Sequence, residues 1–114
     1  MLVKLYISPS KPNVEVAGDI VLKTHVPYSD TTVTIQVNPS IEEFHEQLPK
    51  TGQPSVRNLM FSRNTNETRT LAFDLNGTRK HRTTVDSNQY EIELLAIEPL
   101  GQNQRAFEFR VEKI

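Results

Sequence analysis

Cysteine and tryptophan are absent from the 114 residues. Without cysteine there is no disulfide framework, no thiolate metal site and no cysteine nucleophile. Glycine is scarce, four scattered residues, and cannot build a phosphate-cradling loop. Alanine, the strongest helix former, occurs four times. No apolar run approaches the roughly 18 residues of a spanning helix, so no membrane insertion is expected. The N-terminus has no basic segment leading into an apolar stretch and a small-residue cleavage site. The expectation is a cytoplasmic protein, or an extracellular one if the domain is excised from a longer chain. Charge of one sign is lacking too: 13 basic and 14 acidic side chains leave a net charge of -1. That balance argues against a protein that coats nucleic acid or a membrane surface.

What is present favours strands. Val, Ile and Thr make up 28 residues, the β-branched set that suits a pleated surface. Leu, Ile, Val and Phe make up 32 of the 114 residues, well above the roughly 20% below which chains stay disordered. The length predicts one domain over residues 1–114 with a modest core.

Period-2 alternation recurs along the chain. Leu2 to Ile7 reads as a strand with Val3, Leu5 and Ile7 on one face. Pro9 and Pro12 end it by removing ladder donors. Val14 and Val16 form a short second piece, and Ala17-Gly18-Asp19 is a turn. Ile20 to Val26 follows, with Ile20, Leu22, Thr24 and Val26 on one face. Thr32 to Val37 alternates with Val33, Ile35 and Val37 inward and Thr34 and Gln36 outward. Further strands are expected at Val56 to Phe61, Thr70 to Leu75, Thr78 to Val85, Tyr90 to Ile97 and Ala106 to Ile114, with Pro99 to Gln104 a loop. Asn76-Gly77 is the strongest hairpin signal and predicts that Thr70 to Leu75 pairs with Thr78 to Val85. One helix is expected near residues 41–48: Ser40 and Glu43 fit a capping box, and Ile41, Phe44 and Leu48 make an apolar stripe.

These short strands, with turn signals every 8–12 residues, predict an all-β antiparallel sandwich of about seven to eight strands, or alternatively a Greek-key β-barrel. Pro12, Ala17-Gly18-Asp19 and the Ile20/Leu22 alternation resemble the A-to-B segment of bacterial immunoglobulin-like and fibronectin type III-like domains. Asp86-Ser87-Asn88-Gln89-Tyr90 resembles the tyrosine corner of those sandwiches, which implies structural roles for Asp86 and Tyr90. The core pin of antibody-type domains, a cysteine pair with tryptophan, is missing. The resemblance implies adhesion, recognition or spacing, with function carried by surfaces rather than by the fold.

Candidate sites are few. Arg79-Lys80-His81-Arg82 is the one dense basic run, and the expected hairpin would bring Arg69 beside it. Together Arg79, Lys80, Arg82 and Arg69 could hold an anion, although no stacking aromatics accompany them. The competing reading is an edge strand kept soluble by charge. Glu42, His45 and Glu46 share one side of the expected helix and have metal-ligand spacing, but they equally supply the polar face that such a helix needs. Leu48-Pro49-Lys50-Thr51-Gly52 matches the sortase sorting signal letter for letter. Over half a domain follows it, so it reads as a proline stop and a turn. Two glycosylation sequons, at Asn66 and Asn76, carry little weight where composition predicts about one by chance. Glu91 and Glu93 read as solvent-facing on one strand face.

No catalytic constellation, cofactor motif or dedicated metal set stands out. The function expected is a non-catalytic interaction or spacer module of the immunoglobulin-like type, with a protein partner. It would bind by strand addition, with the terminal strand Phe107 to Ile114 a candidate edge, or by the loops beside Lys11-Pro12 and Asn103. The alternatives are an anion- or ligand-binding β-domain using residues 79–82, and a carbohydrate-binding module using Tyr6 and Tyr28.

Overall fold

A computed structural model describes residues 1–38 and 68–114. They form eight strands: β1 (Leu2–Ile7), β2 (Val14–Ala17), β3 (Ile20–Tyr28), β4 (Thr32–Val37), β5 (Arg69–Asp74), β6 (Lys80–Val85), β7 (Asn88–Gly101) and β8 (Gln104–Lys113). Two antiparallel sheets of four strands result, ordered β1-β8-β7-β6 and β2-β3-β4-β5. The all-β sandwich expected from the alternation is therefore present. The expected helix at 41–48, the strand at 56–61 and the Leu48–Gly52 match lie outside the described residues.

The inward phase of each strand builds one core. Val3 and Leu5 of β1, Ile92 and Leu94 of β7, and Phe107, Phe109 and Val111 of β8 face Ile20, Leu22, Val33, Ile35, Val37 and Phe73 of the other sheet. Phe73 meets Phe109 edge to face, with ring centroids 5.3 Å apart, the geometry that the ring quadrupoles favour. The rims are tied as well. Arg105 of β8 holds Asp30 at 2.8 Å, and the Tyr28 hydroxyl donates to the Asn103 carbonyl at 3.2 Å.

Connectivity is sequential. Within the second sheet β2, β3, β4 and β5 pair in chain order, and in the first β6, β7 and β8 do the same before β8 pairs with β1. No Greek-key crossover joins the described strands. Constant-type immunoglobulin domains instead put the first, second, fifth and fourth strands together.

Several local expectations are corrected. Asn76-Gly77 does turn the chain, with the Gly77 amide on the Asp74 carbonyl at 3.0 Å, but β5 and β6 leave it into different sheets. The turn is a corner, not a hairpin, because β5 already pairs with β4 and β6 with β7. The segment from Asp86 to Tyr90 is the converse. Val85 pairs with Asn88 across a two-residue turn in which Asp86 and Ser87 have φ of 51° and 70°, the pattern of a type I′ hairpin. Tyr90 is thus a buried strand residue after a same-sheet hairpin, not the corner of a cross-sheet connection. Pro99 lies in β7 opposite Arg105, and only Gln102 and Asn103 remain as loop. β8 runs between β1 and β7, so the terminal strand is internal and has no edge to offer.

Val26 also departs from its expected phase. It is 64% exposed, because the β3–β4 register shifts between His25 and Tyr28, where the Val26-Pro27 peptide is cis. The polar phase of β3 and β4 is not solvent-facing either: Lys23, Thr34 and Gln36 are buried together with Val21.

Two non-glycine residues in the left-handed region make the β6–β7 turn a strained one, since a Cβ there costs about 1–2 kcal/mol per residue. Ser87→Gly is expected to raise unfolding free energy by about 0.5–1 kcal/mol, offset in part by glycine's greater freedom when unfolded. Urea denaturation should show this as a higher midpoint at unchanged slope.

Candidate functional site

The basic run is split by strand geometry. Along β6 the side chains of Lys80 and Arg82 take the outer face, while His81, Thr83 and Val85 take the inner one. Register then sets Lys80 opposite Glu93 and Arg82 opposite Glu91, and on the other side of β7 sets Arg110 opposite Glu93. The Lys80 ammonium lies 3.1 Å from Glu91 and the Arg82 guanidinium 3.6 Å from the same carboxylate. Arg110 is 3.1 Å from Glu93. Arg79 donates to the carbonyls of Leu94 and Leu95 at 3.4 and 3.2 Å. A small cleft of about 80 Å³ here is lined by Lys80, Arg110, Glu91, Glu93 and Glu112, three carboxylates against two cations.

The hydrogen bond to Glu91 and the fields of Glu91 and Glu93 hold the Lys80 ammonium above its ordinary 10.5. The associated stabilisation is complete below about pH 10.5 and is lost as pH rises through the folded value. Arg69 is not part of this face. It begins β5 in the other sheet, five residues and so roughly 17 Å of strand from the end of β5 that leads to β6. Glu42, His45 and Glu46 lie outside the described residues. Among the described residues, no group of three or more His, Cys, Asp or Glu side chains is arranged to hold a metal ion.

His81 has a structural post. Its ring stands edge-on to Phe73 at 4.8 Å, and Nε2 donates to the Ala72 carbonyl at 2.6 Å. It therefore stitches β6 to the free edge of β5. The Asp74 amide, on the same edge, donates to the Thr78 carbonyl at 2.8 Å. On this side the two sheets are joined by a turn, a histidine and backbone.

The opposite side is different. In an antiparallel ladder, residues alternate between exchanging hydrogen bonds with the neighbour and turning both groups away. Met1 exchanges bonds with Val111. By alternation Val3 and Leu5 face β8, while the N–H and C=O of Leu2, Lys4 and Tyr6 face away from it. On β2, Thr24 takes the Asn13 carbonyl, so Glu15 faces β3 and Val14 and Val16 turn outward.

Two free edges thus confront each other across the seam between the sheets. One end is closed: the Tyr6 amide donates to the Pro12 carbonyl at 3.2 Å, and the Tyr6 carbonyl accepts from Thr24 Oγ1 at 3.1 Å. Toward Leu2 and Val16 the seam opens into a shallow groove of about 560 Å³, lined by Leu2, Lys4, Tyr6, Lys11, Glu15 and Val16 among others. The Lys11 ammonium lies 5.2 Å from the Tyr6 ring centroid, so this tyrosine face is already occupied. The prolines on either side of Lys11 marked the end of β1 in the sequence, but nothing there said which edges would face each other.

No family model, curated protein or solved structure matches the chain.

One prediction concerns the charged face and one the seam. Glu91→Gln removes the shared partner of Lys80 and Arg82, so the variant should elute from heparin at higher salt than the wild type, with an unchanged fold by circular dichroism. Equal elution would show that the pairs do not neutralise the strand. Burial pushes the Glu15 carboxyl above its usual 4.5. A raised carboxyl favours the folded state below about 4.5 and loses that contribution as pH rises through the folded value. Glu15→Gln should therefore melt above the wild type at pH 7 and level with it near pH 3.5.

Proposed function

We propose that this chain is a non-catalytic protein-binding module whose contact surface is the open β1–β2 seam. The observation that carries this reading is the pair of facing strand edges with ladder groups turned outward, beside Leu2, which is 65% exposed. Backbone groups at an edge supply affinity for an added strand, and flanking side chains supply selectivity. Exposed apolar surface beside such an edge adds the burial term that binding needs. The anion-binding alternative, on Arg79, Lys80 and Arg82, has less support because these cations are engaged within their own sheet. The carbohydrate alternative has less support: one face of Tyr6 carries the Lys11 ammonium, 5.2 Å from its centroid, and Tyr28 stands edge-on with Phe107, centroids 6.4 Å apart.

A thermal-shift panel of inorganic phosphate, sugar phosphates and oligosaccharides separates these readings. The expected result is no change in melting temperature. In parallel, immobilised wild-type chain should retain a protein from native extract that the edge-blocked variant Lys4→Pro does not retain. A saturable stabilisation by phosphate that disappears in Arg82→Ala would move the function to β6 and overturn the proposal.

A further inference from the structure

Resting on that protein-binding reading, we infer that the seam takes an extended acidic peptide, added antiparallel to β1, with a carboxylate opposite Lys4 and apolar residues opposite Val3 and Leu2.

The four sheet edges are not equivalent. β6 turns the backbone of Lys80, Arg82 and Thr84 outward, so its free edge is flanked by two cations, a device that discourages further pairing. β5 uses its outward carbonyl at Ala72 and its outward amide at Asp74 on His81 and Thr78. β1 is the regular edge: six residues with no proline and no register shift against β8. Its outward groups at Leu2 and Lys4 have no hydrogen-bonded partner across the seam among the described residues, whereas those at Tyr6 do. The available ladder therefore spans Leu2 to Lys4 and stops at Tyr6.

That stop sets the register. Residues of an added strand opposite Leu2 and Lys4 exchange backbone bonds with them and place their side chains on the outer face beside Leu2 and Lys4. The residue between them, opposite Val3, shares Val3's inward face and points into the seam on the side where β2 presents Glu15 and Ala17. Cross-strand pairing then prescribes the chemistry. Lys4 makes no ion pair among the described residues, so a carboxylate belongs opposite it. Exposed Leu2 calls for an aliphatic or aromatic neighbour, and the seam position calls for a β-branched residue. Read antiparallel to β1, the order is acidic, β-branched, apolar. Lys11 lies in the same groove at the closed end and favours a second acid on the N-terminal side. Glu15, the groove's one carboxylate, is already disfavoured in its charged form by burial.

The probe is a blocked eight-residue peptide, Ser-Glu-Glu-Val-Ile-Val-Thr-Ser, followed by fluorescence anisotropy and by amide exchange of the protein. Binding should protect the Leu2 and Lys4 amides while the β6 amides stay unchanged. Replacing both peptide glutamates by lysine should weaken binding about fivefold or more, the scale of partly exposed charge pairs. Lys4→Glu should reverse that preference, and Lys4→Pro, which removes both the outward amide and the ammonium, should lose binding of either peptide more than about tenfold. Unfolding of Lys4→Pro leaves Lys4→Glu as the deciding variant. Equal affinity for the acidic and basic peptides, or protection elsewhere, overturns the inference. So does concentration-dependent protection of Leu2 and Lys4 without peptide, since the occupant is then a second copy of the chain. If the peptide fails while a native partner still depends on an open β1 edge, the binding-module reading stands and only the peptide chemistry falls. Loss of both removes both.

Discussion

Every edge strand has a ladder neighbour on one side only, and a sandwich of two open sheets has four such edges. That constraint organises this molecule. Backbone amides and carbonyls are obligatory hydrogen-bonding groups, so each edge must meet water, a side chain, another strand or a partner. Here the β5–β6 side is closed by the Asn76-Gly77 corner and by His81 reaching the Ala72 carbonyl. The β1–β2 side is closed at Tyr6 and open at Leu2. The core depends on the same arrangement. The edge-to-face contact of Phe73 with Phe109 needs β5 and β8 in different sheets, and the corner after β5 makes that so.

On the outer face of β6, β7 and β8 a basic run in the sequence becomes a set of cations paired with carboxylates. Four consecutive residues that look like a cationic patch are divided between two faces by the pleat. Register then sets Glu91 and Glu93 beside the cations that face outward. The product is a nearly neutral lattice in which one carboxylate serves both Lys80 and Arg82. Such exposed pairs contribute little to stability individually, but together they set three carboxylates against three cations on one face.

Much of the fold was legible because it rests on local rules. Val3/Leu5, Val33/Ile35/Val37 and Phe107/Phe109/Val111 alternate as a half-buried strand must, and the structure places each set in the core. The misreadings came where the same local signal has two outcomes. Asn-Gly reverses a chain whether the next strand pairs or crosses to the other sheet, and only competition from β4 and β7 for the ladders decided between them. Asp86-Ser87 carries no glycine, so its left-handed hairpin had no strong signature. Pro99 suggested a loop because proline donates no ladder bond, yet it sits in β7 beside a register shift. Thr34 and Gln36 carried the polar label of an outer face and are buried on it.

The candidate groove was legible only in part. Pro9 and Pro12 marked the end of β1, and Lys4 and Lys11 were visible as charges. Their convergence was not, because it depends on β8 pairing with β1 over a hundred residues along the chain. The amino-acid order by itself determined most of the inward-facing positions, since these follow from neighbours two positions apart, and the small net charge, which follows from composition. Tertiary structure alone decided which edges are closed, which cations are neutralised and which backbone groups remain turned outward. Those outcomes belong to pairings between distant strands, and a short-range pattern contains no term for them.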